Sequence, residues 1–334
     1  MRVWAALTAV TLLALGCAGD DAVPEESGAP SSAPATPVGD TGTAPSSSSS
    51  TTSTVPVSER LPPLAADATG AVVTPQGAAL AITGTDGESW LVLDTCGAPG
   101  SVSAPSATVV GPQHVVLDPG NGGEDRGTVG PGGVDEAEVN LDVARRAADV
   151  LRGHGVAVLL TRDGDVGMTA SARAAVADAV GAQVFLSIQH RDGPGDRSTV
   201  PGTESFHRID DPDSRRLAGL VFEEVQAGLG PRAAGWLAPA EPGVKPLLNQ
   251  RGEDFHTVLR ETVGVAAAFV EVAVLAGDAE AALLSSEEGR QAEAEALASA
   301  VIRYLVTAEE GRGFVEPTER VRPAEPLTPP ADCS

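Results

Sequence analysis

Between residues 114 and 308, short apolar runs alternate with longer amphipathic segments, and this alternation restricts the fold more than any other feature. The apolar runs are residues 114–118, 156–161, 183–188 and 266–275. The amphipathic segments are residues 134–155, 169–181, 213–230 and 287–308. Strands that alternate with helices predict an α/β fold, a mostly parallel twisted sheet with helices on both faces.

A different pattern precedes this α/β region. Short β-prone runs between residues 69 and 98 are broken by the turn sequences TPQG and GTDGES. They predict a small β-rich segment over residues 63–110, ahead of an α/β domain at 111–310. Past residue 311 the chain becomes rich in proline and glutamate, and we interpret residues 311–334 as a tail.

The amino terminus has the pattern of an export signal. Residues 1–17 read MRVWAALTAVTLLALGC, and their apolar run is shorter than the ~20 residues of a membrane-spanning helix. The ending ALGC resembles a bacterial lipobox, which implies cleavage before Cys17 and a lipid on its sulfur; the alternative is an ordinary secretory signal. Residues 18–62 are rich in Ser, Thr, Pro and Ala and predict a disordered tether. We expect an extracytoplasmic protein that is lipid-anchored to the bacterial cell membrane.

The net charge argues against nucleic-acid binding, and the cysteines offer a candidate disulfide. The net charge is −24 and Lys245 is the only lysine, so the chain lacks the basic surface that a nucleic-acid-binding protein needs. Cys96 and Cys333 are the two cysteines that follow Cys17. In an extracytoplasmic protein such a pair is a candidate disulfide, and the alternative is two separate thiols.

Four polar residues from distant parts of the sequence fall where the predicted sheet forms a crevice. Asn121 follows the first strand, within VVLDPGNGGEDRG, and Gln189 follows the third. Glu136 opens the first long helix, and Glu271 interrupts the apolar strand 266–275. Because ligands bind at strand ends in open α/β sheets, we expect these residues to share one site. Burying a carboxylate is costly, which makes Glu271 the strongest candidate for a site residue.

Several motifs, in order, resemble those of the zinc-dependent N-acetylmuramoyl-L-alanine amidases of peptidoglycan turnover. VVLDPGNGGEDRG resembles the opening motif DPGHGG, and EAEVNLDVARRAADVLRGHGVAVLLTRD resembles the glutamate-led helix and the TRD that follows it. SARAAVADAVGAQVFLSIQH resembles the segment that leads to SIHxN, GTESF the next strand, and VEVAVLAG the final VELGFLSN. The resemblance covers roughly residues 113–307. It implies the amidase fold and a site for the bond between N-acetylmuramic acid and L-alanine of the stem peptide.

The resemblance also assigns roles to the four polar residues. In the family, two histidines and a glutamate bind Zn²⁺, and a second glutamate is the general base. The retained glutamate ligand falls on Glu136 and the catalytic base on Glu271, while the histidine positions fall on Asn121 and Gln189. Amide oxygens are poor ligands for Zn²⁺, so we expect no tight zinc binding. His190 neighbours Gln189 on a strand and should point the other way, which makes it a poor replacement ligand.

These substitutions predict a site without a cation. Glu136 and Glu271 would then face each other, and the like charges would raise one pKa. We expect the amides of Asn121 and Gln189 to donate hydrogen bonds to the two carboxylates. The other histidines are expected to be ordinary surface or core residues; they are His114, His154, His207 and His256.

Three hypotheses for the function follow. The first is a cell-envelope lipoprotein with the amidase fold that acts on or binds peptidoglycan, with little or no hydrolysis. The second is an active amidase that cleaves the same bond with an atypical metal site. The third is a structural envelope lipoprotein without catalysis. Whether the chain is an enzyme therefore stays open from sequence, and so does any protein partner beyond peptidoglycan and the membrane.

Overall fold

The computed structural model describes residues 55–191, 202–232, 243–319 and Cys333. The signal segment, Cys17 and most of the tether lie outside these residues. Everything described belongs to the unit Ser53–Ser334. No helix in the described part of the chain is long and apolar enough to cross a bilayer.

The described residues form thirteen strands, six α-helices and three short 3₁₀ turns. The strands are β1 (Ala71–Val73), β2 (Ala79–Thr85), β3 (Ser89–Leu93), β4 (Pro99–Ser103), β5 (Thr108–Val110), β6 (Val115–Pro119), β7 (Val158–Leu160), β8 (Val184–Arg191), β9 (Glu204–His207), β10 (Gly243–Lys245), β11 (Leu247–Leu248), β12 (Ala266–Val274) and β13 (Thr318–Glu319). The α-helices are α1 (Glu136–Gly153), α2 (Ala170–Ala179), α3 (Pro212–Leu229), α4 (Thr257–Glu261), α5 (Asp278–Leu284) and α6 (Glu287–Val306).

The main sheet has the strand order β10-β9-β12-β8-β6-β7. Strands β7, β6, β8 and β12 are parallel, β9 is antiparallel to β12, and β10 is parallel to β9. Alternate residues of a strand point to opposite faces, so Val115 and Leu117 enter one apolar core and Val116 enters another. Helices α1, α3 and α6 cover the first face, and α2 and α4 contribute to the second. The expected mostly parallel α/β sheet is confirmed.

The predicted β-rich segment is a five-stranded antiparallel sheet in the order β4-β3-β2-β1-β5. It attaches to the end of the main sheet that carries β7. The amide of Ala79 donates to the carbonyl of Thr161 at 2.9 Å, and that of Asp163 donates to Gly77 at 2.6 Å. Side chains of β1 and β2 also enter the core that α2 covers. The small sheet is therefore packed on the α/β region rather than standing apart from it.

The folded region extends past the residue 310 that the sequence indicated. Gly313 and Val315 exchange hydrogen bonds with Val244 of β10, at 2.8 and 3.0 Å. Phe314 packs on the apolar core, and its ring lies against Gly219 of α3, where an added Cβ would stand 2.6 Å from it. The two apolar side chains Phe314 and Val315 and the backbone hydrogen bonds to Val244 thus attach residues 311–319 to the domain.

The structure joins Cys96 to Cys333 by a disulfide, with Cα atoms 5.2 Å apart. The two residues are 237 positions apart in the sequence. Cys96 lies between β3 and β4, where its amide donates to Asp94 Oδ1 at 2.9 Å. The bond therefore links the carboxyl-terminal end of the chain to the small sheet.

Candidate functional site

The glycine-rich loop after β6 turns sharply at Asn121. Asn121 has a φ of 56°, and Gly122 and Gly123 after it also have positive φ. Asparagine tolerates this left-handed conformation better than most residues, which supports a turn-forming role. Its side-chain Oδ1 accepts a hydrogen bond from Asn140 Nδ2 of α1 at 3.3 Å. Asn121 therefore faces α1.

Two buried arginines hold the backbone of this loop from beneath. Arg162 donates to the carbonyls of Pro119 and Gly120 at 2.9 and 2.7 Å, and to Ala137 at 2.8 Å. Burial, followed by the charge of Arg173, lowers the pKa of Arg162 to about 10. Arg173 donates to the carbonyls of Pro119 and Asn121 at 2.8 and 2.7 Å. Guanidinium groups suit this task because their donors form a rigid planar fork.

Asp118, the last acid of β6, anchors the same network. It is 1% exposed and forms a 2.7 Å ion pair with Arg173. Thr161 donates to its Oδ1 at 2.6 Å and Ser187 to its Oδ2 at 2.8 Å. Each partner comes from a different element, so this group of polar contacts ties β6, β7, β8 and α2 together below the loop.

Glu136 is the first residue of α1 and is 6% exposed. The amide of Thr128 donates to its Oε2 at 2.9 Å, and the amide of His190 donates to its Oε1 at 3.0 Å. Burial raises the pKa of Glu136, against the opposing effect of these hydrogen bonds and of Asn140. Both carboxylate oxygens of Glu136 are thus already engaged by backbone donors.

Glu136 and Asn121 come together at Gly127. A Cβ at Gly127 would stand 2.5 Å from Glu136 Oε2 and 2.8 Å from Asn121 Oδ1, so the two oxygens border the same point. The φ of Gly127 is 65°. Only glycine fits this position, because a side chain there would displace both candidate site residues.

Gln189 lies near the end of β8 and folds over the glycine loop. Its Nε2 donates to Ser187 Oγ at 3.1 Å. A Cβ at Gly120 would stand 1.9 Å from both terminal atoms of the Gln189 amide, so the carboxamide occupies the space that glycine leaves. Gln189 and the loop of Asn121 are therefore in direct contact.

Glu271 is the register partner of Gln189 on β8 and of Glu204 on β9. Register partners on adjacent strands point to the same face, so the three side chains form a row across the sheet. Glu271 is 8% exposed. Glu204 forms a 2.7 Å ion pair with Lys245, whose side chain is buried. The isolated lysine between apolar neighbours was the sequence signal for this pair, which the sequence analysis did not use.

His190 points away from Gln189, as expected for a strand neighbour. Its Nδ1 lies 2.8 Å from Asn140 Oδ1, and its Nε2 lies 3.2 Å from Glu293 Oε2 of α6. The side chains of His190 and Glu293 are fully buried. The sequence analysis missed Glu293, although a glutamate on the apolar stripe of α6 was a usable signal.

The structure corrects two expectations about the amides and carboxylates. The predicted hydrogen bonds from the amides to Glu136 and Glu271 are wrong, because Gln189 donates to Ser187 and Asn121 accepts from Asn140. The pKa of Glu136 is raised, but the largest cause is burial rather than a like charge. The amides pack against neutral partners because those partners lie on the strand and helix directly beside them.

The side chains at the amidase-family metal position form a poor donor set for Zn²⁺. Asn121 and Gln189 offer amide oxygens, and Glu136 has a backbone donor on each carboxylate oxygen. Within residues 55–191, 202–232 and 243–319, no cluster of three or more His, Cys, Asp or Glu side chains is arranged to hold a metal ion. A catalytic zinc site uses three strong protein ligands, so these residues do not fit one.

Comparison with known proteins agrees with this architecture. N-acetylmuramoyl-L-alanine amidase AmiC of Neisseria meningitidis is 29% identical over 226 residues, 60% of this chain and 54% of that protein. Amidase AmiA of Escherichia coli is 29% identical over 223 residues, 58% of this chain and 77% of that protein. The chain thus spans about half the length of the Neisseria relative.

Structural and family comparisons point the same way. The crystal structure of an N-acetylmuramoyl-L-alanine amidase from Clostridium difficile superposes with a TM-score of 0.50 at 25% identity, covering 59% of this chain and 98% of that one. The sequence profile of the N-acetylmuramoyl-L-alanine amidases matches residues 115–303, from β6 into the last turn of α6. Since this match covers more than half of its length, the chain belongs to the N-acetylmuramoyl-L-alanine amidase family.

Proposed function

We propose that this protein binds peptidoglycan through the amidase-family cleft and hydrolyses it little or not at all. The observation that carries this proposal is the chemistry at Asn121 and Gln189. Both positions present carboxamides, where the motifs of the family have zinc-binding histidines. Asn121 Oδ1 and both carboxylate oxygens of Glu136 also accept hydrogen bonds within the protein.

The loss of zinc would remove the main source of hydrolytic power. Zinc lowers the pKa of a bound water from 15.7 to about 7, which makes hydroxide available at neutral pH. Glu271 as a general base has no comparable nucleophile to activate without it. A carboxylate alone also supplies no positive charge to stabilise the oxyanion of the tetrahedral intermediate.

The same residues remain suited to binding. Among the described residues the Gln189 side chain makes one hydrogen bond, to Ser187, which leaves its Oε1 and one N–H for a ligand. The half-buried amides of Asn121 and Gln189 match the hydroxyl, acetamido and peptide groups of a glycan and its stem peptide. The row of Gln189, Glu271 and Glu204 thus presents acceptors and donors along one face of the sheet.

Co-sedimentation with purified sacculi, followed by analysis of released muropeptides, tests this function. We expect the full-length protein to sediment with sacculi and to release no stem peptides. Gln189→Ala should weaken sedimentation, whereas Gln113→Ala, a change outside the cleft, should not. Failure to sediment would favour the structural hypothesis. Release of stem peptides that both a chelator and Glu271→Ala abolish would establish an active amidase and contradict the proposal.

We further propose that Cys17 carries a lipid that holds the protein at the outer face of the bacterial cell membrane. The lipobox-like ALGC and the tether that follows it support this location, which suits the wall substrate of the amidase relatives. Cys17→Ala should move the protein from the detergent phase to the aqueous phase in a phase-separation assay. Retention in the detergent phase would contradict lipidation at this residue.

A further inference from the structure

A second cavity lies at the end of the main sheet opposite to Glu271. Strand β9 is antiparallel to β12, so Glu204 pairs with Glu271 whereas His207 pairs with Ala268 near the start of β12. The carboxyl ends of β9 and β10 therefore point away from the amidase cleft. The cavity beyond them has a volume of about 540 Å³. This volume lies within the range of small-molecule sites, roughly 300–1,000 Å³.

One side of the cavity is apolar. Val244 of β10, Pro246 after it, and Phe314 from the carboxyl-terminal segment contribute to its lining. The carboxyl-terminal segment is fixed there by its hydrogen bonds to Val244, so this wall is part of the folded domain. Because the Val244 side chain is fully buried, Pro246 and Phe314 provide the surface for an apolar group of a ligand.

Arg215 borders the apolar wall, and its side chain has no ion-pair partner among the described residues. The guanidinium carbon of Arg215 lies 3.6 Å from the centroid of the Phe314 ring. The backbone amide of Arg215 donates to the carbonyl of Asp211 at 2.9 Å, but its side chain makes no ion pair or hydrogen bond with any other described residue, in contrast to Arg208, which pairs with Asp211 at 3.0 Å. In a chain of net charge −24, a stacked guanidinium with free donors is suited to an incoming carboxylate.

His207 adds a hydrogen-bond acceptor to the same cavity. Its Nδ1 lies 2.9 Å from the carbonyl of Arg208, which requires the proton on that nitrogen. Burial lowers the pKa of His207, which favours the neutral ring, and with the proton on Nδ1 the Nε2 atom is the hydrogen-bond acceptor. An N–H group of a ligand fits this position.

The acidic residues of the lining limit the charge that a ligand can carry. Asp211 is compensated, because its Oδ1 accepts the amides of Asp213 and Ser214 and its Oδ2 pairs with Arg208. Asp210 is exposed and adopts a φ of 56°; among the described residues, Asn121 is the one other non-glycine residue with positive φ. A second negative charge on a ligand would approach Asp210, so the lining favours a monoanion.

We propose that this cavity binds an organic monocarboxylate with an apolar body and an amide N–H, such as the carboxyl-terminal residue of a peptide. The carboxylate pairs with Arg215, the amide donates to His207 Nε2, and the apolar side chain packs on Phe314. This site is separate from the amidase cleft and does not depend on the function proposed for that cleft.

Calorimetric titration of the full-length protein with N-acetyl-L-alanyl-L-phenylalanine and its carboxyl-terminal amide tests the proposal. We expect saturable binding of the acid, at least tenfold tighter than binding of the amide. Arg215→Gln should lower the affinity for the acid at least tenfold. Arg152→Gln, which removes an exposed arginine of α1, should leave that affinity unchanged. Sacculus binding by Arg215→Gln should match the wild type.

Three results would overturn the site: no saturable binding of the acid, equal affinities for acid and amide, or an Arg215→Gln variant that binds as the wild type does. The comparison of acid with amide uses the wild-type protein, so it stands even where a variant fails to fold. Arg215→Lys offers a second variant. It loses the planar fork of the guanidinium, so its affinity for the acid should also fall.

Discussion

Restoring two imidazoles to the cleft should create a zinc site. The double variant Asn121→His, Gln189→His loses the hydrogen bond between residue 121 and Asn140 and the one between residue 189 and Ser187. Each such bond is worth about 1 kcal/mol, so we expect the metal-free variant to be less stable by about 2 kcal/mol. Histidine tolerates the left-handed φ of residue 121 better than most residues do, so little further strain is expected.

Zinc should then reverse this loss. With Glu136 the two histidines provide three protein ligands, and a ligand at 100 times its Kd stabilises the folded state by about 2.7 kcal/mol. For a domain of this size that corresponds to a rise in Tm of about 5–10 °C. The assay is thermal unfolding at pH 8 with and without zinc, with a chelator added back as the control, and elemental analysis of the dialysed protein.

The zinc-dependent change in Tm is compared between the wild type, the single variants and the double variant. We expect no zinc-dependent shift for the wild type and an intermediate response for each single variant. A folded double variant whose Tm does not respond to zinc would refute the claim that Glu136 and the two amide positions form the remains of a metal site. An equal response of the wild type would show that imidazoles are unnecessary.

Three further predictions concern the framework around the site. Arg162→Lys keeps the charge but loses the planar fork that reaches four backbone carbonyls, so the free energy of unfolding in urea should fall by about 3 kcal/mol. Burial lowers the pKa of His207 below its ordinary 6.5, so the unfolded state binds the proton more readily. The free energy of unfolding should therefore fall as the pH drops below 6.5, and His207→Gln should reduce that slope. Replacing Cys96 and Cys333 by serine should lower the free energy of unfolding by up to about 5 kcal/mol, because the disulfide closes a loop of 237 residues in the unfolded chain.

Each of these predictions has a matched control. Arg152→Lys changes an exposed arginine and should leave urea stability within about 0.5 kcal/mol of the wild type. An equal loss of stability in both variants would contradict the claim that the backbone hydrogen bonds of Arg162 stabilise the fold. His154→Gln removes an exposed histidine and should leave the pH slope unchanged, whereas a slope unaffected by His207→Gln would contradict the pKa argument. Dithiothreitol should destabilise the wild type and not the serine variant.

The alternation of strands and helices was predictable because it depends on local periodicity. The predicted strand 266–275 and the helix 287–308 agree with β12 and α6 to within two residues at each end. The apolar side chains of these two elements enter the core clusters, as the hydrophobic pattern of the sequence predicts. The carboxyl-terminal boundary was less accurate, since it depends on long-range contacts of Gly313, Phe314 and Val315 with β10 and α3.

The positions of Asn121, Glu136 and Gln189 near strand ends and within the family motifs predicted that these residues lie together. Their hydrogen-bond partners could not be predicted in the same way. Whether Gln189 donates to a carboxylate or to Ser187 depends on a rotamer and on the space left by Gly120, neither of which is local in sequence. The same holds for the contact between His190 and Glu293, which are 103 residues apart. Long-range side-chain pairing is the part of this site that the sequence did not reveal.

The most direct test of the account is the metal content and activity of the native protein, measured on one preparation. Full-length protein purified without chelators should contain no stoichiometric zinc and should release no stem peptides from sacculi, even after added Zn²⁺. One zinc per chain, together with chelator-sensitive release of stem peptides, would contradict the claim that carboxamides have ended zinc hydrolysis in this cleft.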